Sequence, residues 1–339
     1  MVPALLAWYA ANARDLPWRR TKDPYSVFIS EIMLQQTQVK TVIPYFDRWM
    51  KQLPGVAAFA SAKPQKVLKL WEGLGYYSRV RNAHAAAQVI MREHGGRFPR
   101  KFEDILALPG VGRYTAGAIS SIAFNEPRPI LDGNVIRVLI RIFGVEGDAR
   151  DKETNAALWQ LAEDLVAMEP KRSSELNQSL MELGALVCTP RQPKCSGCPA
   201  GKFCSALRED RVDELPLRRA RVPATKRRFV AFVARKRNRF LVRQRSGEGV
   251  NGHLWEFPNI EVGLKDKRDG RDIKDTLFRV ADEQPICRIQ HSITRYRILL
   301  EVYRAEATGK SDGVWKTLSQ LHRLPFTSAH RKILTALMP

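Results

Sequence analysis

Cys188, Cys195, Cys198 and Cys204 follow the spacing Cys-x6-Cys-x2-Cys-x5-Cys and make up four of the five cysteines in the chain. Whatever this stretch folds into must gather four thiols or leave them reactive. Thiolates this dense are metal ligands far more often than disulfide partners in a chain with no recognisable secretory leader. Zinc sites usually carry two Cys-x2-Cys knuckles parted by a longer loop. Here one knuckle is flanked by wider gaps, which suits the four corners of a [4Fe–4S] cube better. Zinc ligation and a disulfide or purely structural role are the alternatives.

At 339 residues there is room for about two domains. The formal net charge of +21 favours a polyanionic partner, because each phosphate neutralised by Lys or Arg releases counterions. Acidic lipid is the competing polyanion. No apolar run approaches the ~20 residues that span a bilayer, so no membrane association and an intracellular, cytoplasmic location are expected.

Residues 1–205 read as helical, with apolar positions recurring at three and four, as in Val27, Phe28, Ile32 and Met33, or Val135, Val138, Leu139 and Ile142. Turn signals interrupt the run at Leu53-Pro54-Gly55, Gly95-Gly96, Pro109-Gly110 and Pro127-Arg128-Pro129. Residues 206–226 lose this pattern and form a basic, proline-marked connector with Pro216, Arg218, Arg219, Arg221, Pro223 and Lys226, continuing into Arg227 and Arg228. It reads either as a solvated linker or as a strap that tracks phosphates. Residues 227–339 then change texture. Phe229–Arg235, Arg239–Arg245 and Arg297–Arg304 alternate as strands do, predicting a smaller mixed α/β domain.

Leu108-Pro109-Gly110-Val111-Gly112 precedes a small-residue segment, Tyr114–Ala123. Two glycines around a valine permit a tight turn whose backbone N–H groups meet a phosphate at a helix N-terminus. A helix-hairpin-helix is therefore predicted over about 105–123, gripping DNA without reading its sequence. A plain helix corner would also use these glycines. Asp132 comes immediately before a strongly periodic helix and is a natural N-cap. The capping bonds and the helix dipole predict a carboxylate kept ionised. Capping alone would explain Asp132 equally well. Glu31 has Val27, Phe28 and Leu34 as helix-face neighbours, and such desolvation favours the protonated form that a general acid needs; a solvated helix edge is the alternative. Together the two acids have the division of labour of glycoside chemistry, one proton-bearing and one anionic.

Six segments, Leu16-Pro-Trp-Arg19, Ser30–Val39, Trp71-Glu-Gly-Leu-Gly-Tyr-Tyr77, Leu108–Gly112, Ile130-Leu-Asp-Gly-Asn-Val135 and the four-cysteine run, resemble the adenine DNA glycosylases of the MutY type. These belong to the helix-hairpin-helix glycosylase superfamily, alongside endonuclease III. The resemblance covers about residues 5–204, and Gly252–Pro258 is similar to the Trp-Glu-Phe-Pro stretch of that family's MutT-like (Nudix-fold) C-terminal domain. It implies a [4Fe–4S] cluster on Cys188, Cys195, Cys198 and Cys204, and excision of adenine opposite 8-oxoguanine in double-stranded DNA by flipping the base. It further implies a monomer in a bacterial cytoplasm, associated with the nucleoid.

Carried over by residue, Glu31 would protonate adenine and then help activate water, and Asp132 would stabilise or trap the sugar cation. Tyr114 and Asn134 would order these acids. Trp18, Arg19 and Gln178 would meet the extruded base, Gln36 and Thr37 the lesion strand, and Gln35 and Tyr76 the stack near 8-oxoguanine. Tyr114 stands where endonuclease III-like enzymes carry a Schiff-base lysine, which implies a monofunctional glycosylase. Many bacterial members sense the lesion with Phe-Ser-His. Here the stretch compared with it is Phe326-Thr-Ser-Ala-His330, with Ser328 or Thr327 supplying the hydroxyl and His330 the imidazole. The alternatives are a pyrimidine-damage or mismatch glycosylase of the endonuclease III type and a non-enzymatic DNA-scanning protein.

Overall fold

The computed structural model describes residues 1–217, 223–247, 249–263, 277–309 and 312–337. Its helices are α1 (Val2–Asn12), α2 (Pro24–Leu34), α3 (Val39–Gln52), α4 (Val56–Ala60), α5 (Pro64–Trp71), α6 (Ser78–Glu93), α7 (Phe102–Leu106), α8 (Arg113–Phe124), α9 (Gly133–Phe143), α10 (Lys152–Met168), α11 (Ser173–Leu186), α12 (Ser205–Arg208), α13 (Leu318–His322) and α14 (Ser328–Ala336). The strands are β1 (Thr225–Lys236), β2 (Arg239–Gln244), β3 (Trp255–Glu256), β4 (Asn259–Val262), β5 (Phe278–Val280), β6 (Cys287–Ile293), β7 (Tyr296–Ala307) and β8 (Val314–Thr317). Among the described residues no helix is long and apolar enough to cross a membrane.

Two compact units result. One comprises Met1–Ala62 and Asn82–Ala220, the other Lys63–Arg81 and Arg221–Pro339. The helical stretch Lys63–Arg81 therefore belongs with the C-terminal residues, although the sequence places it amid the N-terminal helices. Arg218, Arg219 and Arg221 of the expected connector lie outside the described residues, whereas Lys226, Arg227 and Arg228 are already part of β1.

In the first unit α2 is the central element. Pro24 sits at its first turn, Asp23 caps it by accepting from the N–H groups of Tyr25 and Ser26, and every residue from Tyr25 to Met33 is buried. A helix buried on all sides lies inside the fold instead of presenting a polar face to water. α9 begins at the Asp132 cap and stops at Gly144, whose φ of 65° supplies the left-handed terminus. Its Val135, Val138, Leu139 and Ile142 enter a core shared with Leu5, Leu158, Leu176, Leu180 and Leu183. α11 crosses α9 at Gly184, where an added Cβ would lie 2.6 Å from the Cβ of Asn134.

The second unit is built on a mixed sheet with the path β3-β2-β1-β7-β5; β4 also pairs with β1, β6 with β7 and β8 with β2. β1 and β7 run parallel from Thr225↔Tyr296 to Ala234↔Ala305. Alternation along β1 sends Ala231 and Val233 to one face, with Phe257, Val302, Ile333 and Leu334. It sends Val230 and Phe232 to the other, with Tyr303 and Ala305. α5 joins this unit through its C-terminal carboxylate: Glu72 Oε1 accepts the Phe326 N–H at 2.8 Å. Lys69 Nζ donates to Leu324 O at 3.0 Å and to Glu72 Oε2 at 2.6 Å.

His330 is 6% exposed, stacks against Phe257 and accepts the Phe257 N–H on Nδ1 at 3.1 Å. Burial is the main reason its pKa falls from 6.5 to about 4. The unfolded chain therefore binds a proton that the folded one refuses, so stability present above about 6.5 is lost as pH falls through about 4. The denaturant midpoint of the second unit is expected to fall on acidification through that window, and His330→Leu should flatten the response. An unchanged pH dependence in that variant would refute the assignment. At the crossing of α9 and α11, Gly184→Ala is expected to cost about 1–3 kcal/mol in denaturant unfolding by overpacking. A neutral result would mean the two helices can separate freely.

Candidate active site

α2, α8, α9 and α11 meet around one cavity of about 650 Å³. Its lining includes Trp18, Arg19, Glu31, Gln35, Gln36, Thr37, Tyr114, Asp132, Asn134 and Gln178. Ten of the side chains singled out from the sequence are thus brought to one place, from segments far apart in the chain.

Glu31 is 4% exposed because α2 is enclosed. Desolvation dominates its environment and lifts its pKa to about 7, against the lowering influence of its hydrogen bond with Tyr114; Asp132 adds to the rise and Arg19 opposes it. Tyr114, on α8, donates its hydroxyl to Glu31 Oε2 at 2.5 Å. Asp132 Oδ1 accepts the N–H of Asn134 at 3.1 Å and of Val135 at 2.8 Å. The expectation that these caps hold its pKa down is corrected by the structure. Burial in the cavity wall outweighs the two backbone bonds and the Arg137 charge, and the net direction is upward. Local capping can be read from sequence; desolvation by distant segments cannot.

Trp18 sits in the Pro17–Arg19 turn, buried and edge-on to Phe46 at 5.4 Å. Gln36 has a left-handed φ of 55° between α2 and α3. Gln178 Oε1 accepts the Tyr9 hydroxyl at 3.1 Å, and its amide nitrogen donates to Ser174 Oγ at 3.3 Å. Two charged residues of the cavity were not anticipated: Arg14 and Glu182. Glu182 follows Gln178 by four residues, hence on the same helix face, and lies between Met181 and Leu183. A carboxylate in such apolar company was the available signal.

The remaining expected residues lie elsewhere. Gly110, with φ 75°, turns the chain between α7 and α8, and Val111 is buried while Gly112 caps α8. An added Cβ at Gly110 would meet Asn82 Cβ at 2.5 Å. Tyr76, in the second unit, is 48% exposed with a φ of 44°. Ser328 is exposed at the first turn of α14. His330, expected to supply an imidazole to the lesion, is enclosed within its own unit, where Nδ1 accepts the Phe257 N–H.

Cys188, Cys195, Cys198 and Cys204 all border one cavity, together with Val138, Ile142, Leu183 and Val187. Among the described residues no three ligand-type side chains are grouped to hold one metal ion; the four sulfurs instead share that cavity. Arg141 Nη1 donates to Cys188 Sγ at 3.5 Å and to Thr189 O at 2.8 Å. Arg137, one helical turn earlier, donates to Cys188 O at 2.7 Å, Gly184 O at 2.7 Å and Asn134 Oδ1 at 2.8 Å.

Residues 29–164 match the family model of the HhH-GPD superfamily base excision DNA repair protein, and residues 230–336 match the NUDIX domain. The adenine DNA glycosylase of Buchnera aphidicola subsp. Schizaphis graminum (strain Sg) is 33% identical over 97% of this chain and 96% of its own length. The adenine DNA glycosylase of Homo sapiens is 32% identical, covering 97% of this chain and 72% of its own. A solved thermostable thymine-DNA glycosylase is 33% identical with a TM-score of 0.56, over 61% of this chain and 95% of that one. The adenine-specific relatives thus extend across both units, and the chain belongs to the adenine DNA glycosylase family, pairing a helix-hairpin-helix base-excision domain with a NUDIX-type one.

Proposed function

We propose that the chain excises adenine from duplex DNA by hydrolysing the bond between base and deoxyribose, with 8-oxoguanine as the preferred opposite base. The observation that carries this reading is a buried Glu31, with a pKa of about 7, in the same cavity as Asp132. The cavity volume of about 650 Å³ accommodates a nucleoside turned out of the helix.

Protonated Glu31 delivers its proton to the ring nitrogen of adenine. The C1′–N9 electron pair leaves with the base, and the sugar becomes oxocarbenium-like. Asp132 has Oδ1 committed to the α9 N-terminus, which leaves Oδ2 for the developing cation. Water adds at C1′ and returns a proton to Glu31. Of the two acids the proton resides on Glu31, because it is the more fully enclosed, while Asp132 retains backbone N–H bonds and the Arg137 charge. Tyr114 fixes the Glu31 carboxyl, and Asn134 is held by Arg137. Trp18, Arg19 and Gln178 frame the base. Gln35, Gln36 and Thr37 at the cavity wall, and Tyr76 and Ser328 on the second unit, are assigned to the strand and the lesion; the left-handed backbone at Gln36 and Tyr76 is the kind of strained presentation that functional loops use. Gly110, Val111 and Gly112 form the phosphate grip at the N-terminus of α8.

The four cysteines fit a [4Fe–4S] cluster: four soft ligands, a shared apolar cavity and a guanidinium donor to one sulfur. When bound it would cross-link the loop and offset part of the thiolate charge; hydrolysis is redox-neutral and asks nothing else of it. Iron and acid-labile sulfide in equal amounts are expected in the purified protein and should be lost in Cys198→Ser; stoichiometric zinc would overturn the assignment.

Glu31→Gln and Asp132→Asn are each expected to slow single-turnover base release by on the order of 10²–10⁴-fold with duplex affinity retained. Release by the unaltered chain should decline as pH rises through about 7, as Glu31 loses its proton. Adenine opposite 8-oxoguanine should react faster than adenine opposite G or T; faster release of thymine from T·G duplexes would redirect the reading to the thymine-specific relative. With tyrosine at position 114, no borohydride-trapped adduct is expected there and strands should stay intact until heat or base is applied.

A further inference from the structure

Glu182 takes no part in the reaction as proposed, yet it is the most completely enclosed carboxylate of the cavity, at 0% exposure. A charge so placed is costly unless its lone pairs are filled. They are filled: Oε1 accepts Arg14 Nε at 2.7 Å and the Arg14 backbone N–H at 3.0 Å. Oε2 accepts Arg14 Nη2 at 2.8 Å and Arg19 Nη2 at 2.9 Å. Arg19 is held a second time, its Nη1 donating to Arg14 O at 3.2 Å, and its guanidinium lies 5.7 Å from the centre of the Tyr9 ring. Tyr9 in turn donates to Gln178. Two residues assigned to the base, Arg19 and Gln178, are thereby tied into one frame whose anchor is Glu182.

We infer that Glu182 is a positioning residue, clamping Arg19 against Arg14 and cancelling the positive charge they would otherwise bring to a cavity where a sugar cation forms. The inference rests on the adenine-glycosylase reading. The ion pairs outweigh burial and keep the Glu182 pKa at about 2, so the negative charge is present at any working pH. Arg19 is also the cation that draws the Glu31 pKa down. Glu182 shields that influence. The groups facing Glu182 are Tyr9 from α1 and Arg14 and Arg19 from the segment after it. Those facing Glu31 are Tyr114 from α8, Asp132 and Arg19.

The test compares full-length wild type, Glu182→Gln and Glu182→Asp in single-turnover release of adenine across pH, alongside duplex affinity. Glu182→Gln should move the alkaline midpoint lower by roughly one pH unit, because Arg19 then acts unshielded on Glu31. It should also slow release at neutral pH by roughly 10–100-fold, with duplex affinity within about twofold of wild type. Glu182→Asp should restore the wild-type midpoint and part of the rate. An unmoved midpoint in the Gln variant, or a rate loss matched by lost duplex binding, overturns the inference. Should Glu182→Gln fail to fold, Arg14→Lys takes its place: it keeps the charge but loses the forked contact, so the rate should drop at an unshifted midpoint, and a wild-type rate would be the contrary result. Absence of adenine release by the wild type sinks the parent reading, whereas normal behaviour confined to the Glu182 variants sinks only this one.

Discussion

Removing one carboxylate from water organises the first unit. Glu31 can retain a proton near neutrality only because α2 is surrounded, and α2 can be surrounded only because its whole circumference from Tyr25 to Met33 is accommodated by other helices. The desolvation penalty is tolerated because the group can be neutral. The same enclosure places Tyr114 within hydrogen-bond reach and forces the other charges of the cavity into pairs. Arg14, Arg19 and Glu182 are not decoration around the acid; they are how a low-dielectric cavity carries charge at all.

α9 ties two distant pieces of chemistry to one rod. Its N-terminus is the Asp132 cap. Arg137 and Arg141, both buried although basic, reach from its side to the cysteine loop. Arg137 holds Asn134 and the Cys188 carbonyl with the same guanidinium, so the loop cannot shift without disturbing the residue beside the capping acid. Asp132 is both helix cap and cavity acid, and its substitution by Asn separates the two because Asn caps nearly as well.

Much of this was readable from local pattern. The Asp132 cap, the glycine turn before α8 and the alternating strands each depend on neighbours a few residues away, and all were expected from the letters. What resisted reading depends on distant segments. A glutamate on a helix ordinarily faces water, so the letters alone do not single out Glu182 even though Met181 and Leu183 flank it and Gln178 precedes it by one turn. Asp132 was expected to be held low by its caps because the wall that desolvates it comes from elsewhere. His330 is matched by residue type, whereas its burial depends on Phe257, a partner distant in the chain.

Lys63–Arg81 is synthesised before most of the unit to which it belongs. The Phe326 amide awaited by the Glu72 carboxylate, and the Leu324 carbonyl awaited by Lys69, leave the ribosome only much later. Vectorial synthesis can therefore assemble the helices around Glu31 while this insertion is still without its sheet. A truncated translation product would therefore lack the Phe326 amide and the Leu324 carbonyl that Glu72 and Lys69 hold in the finished chain.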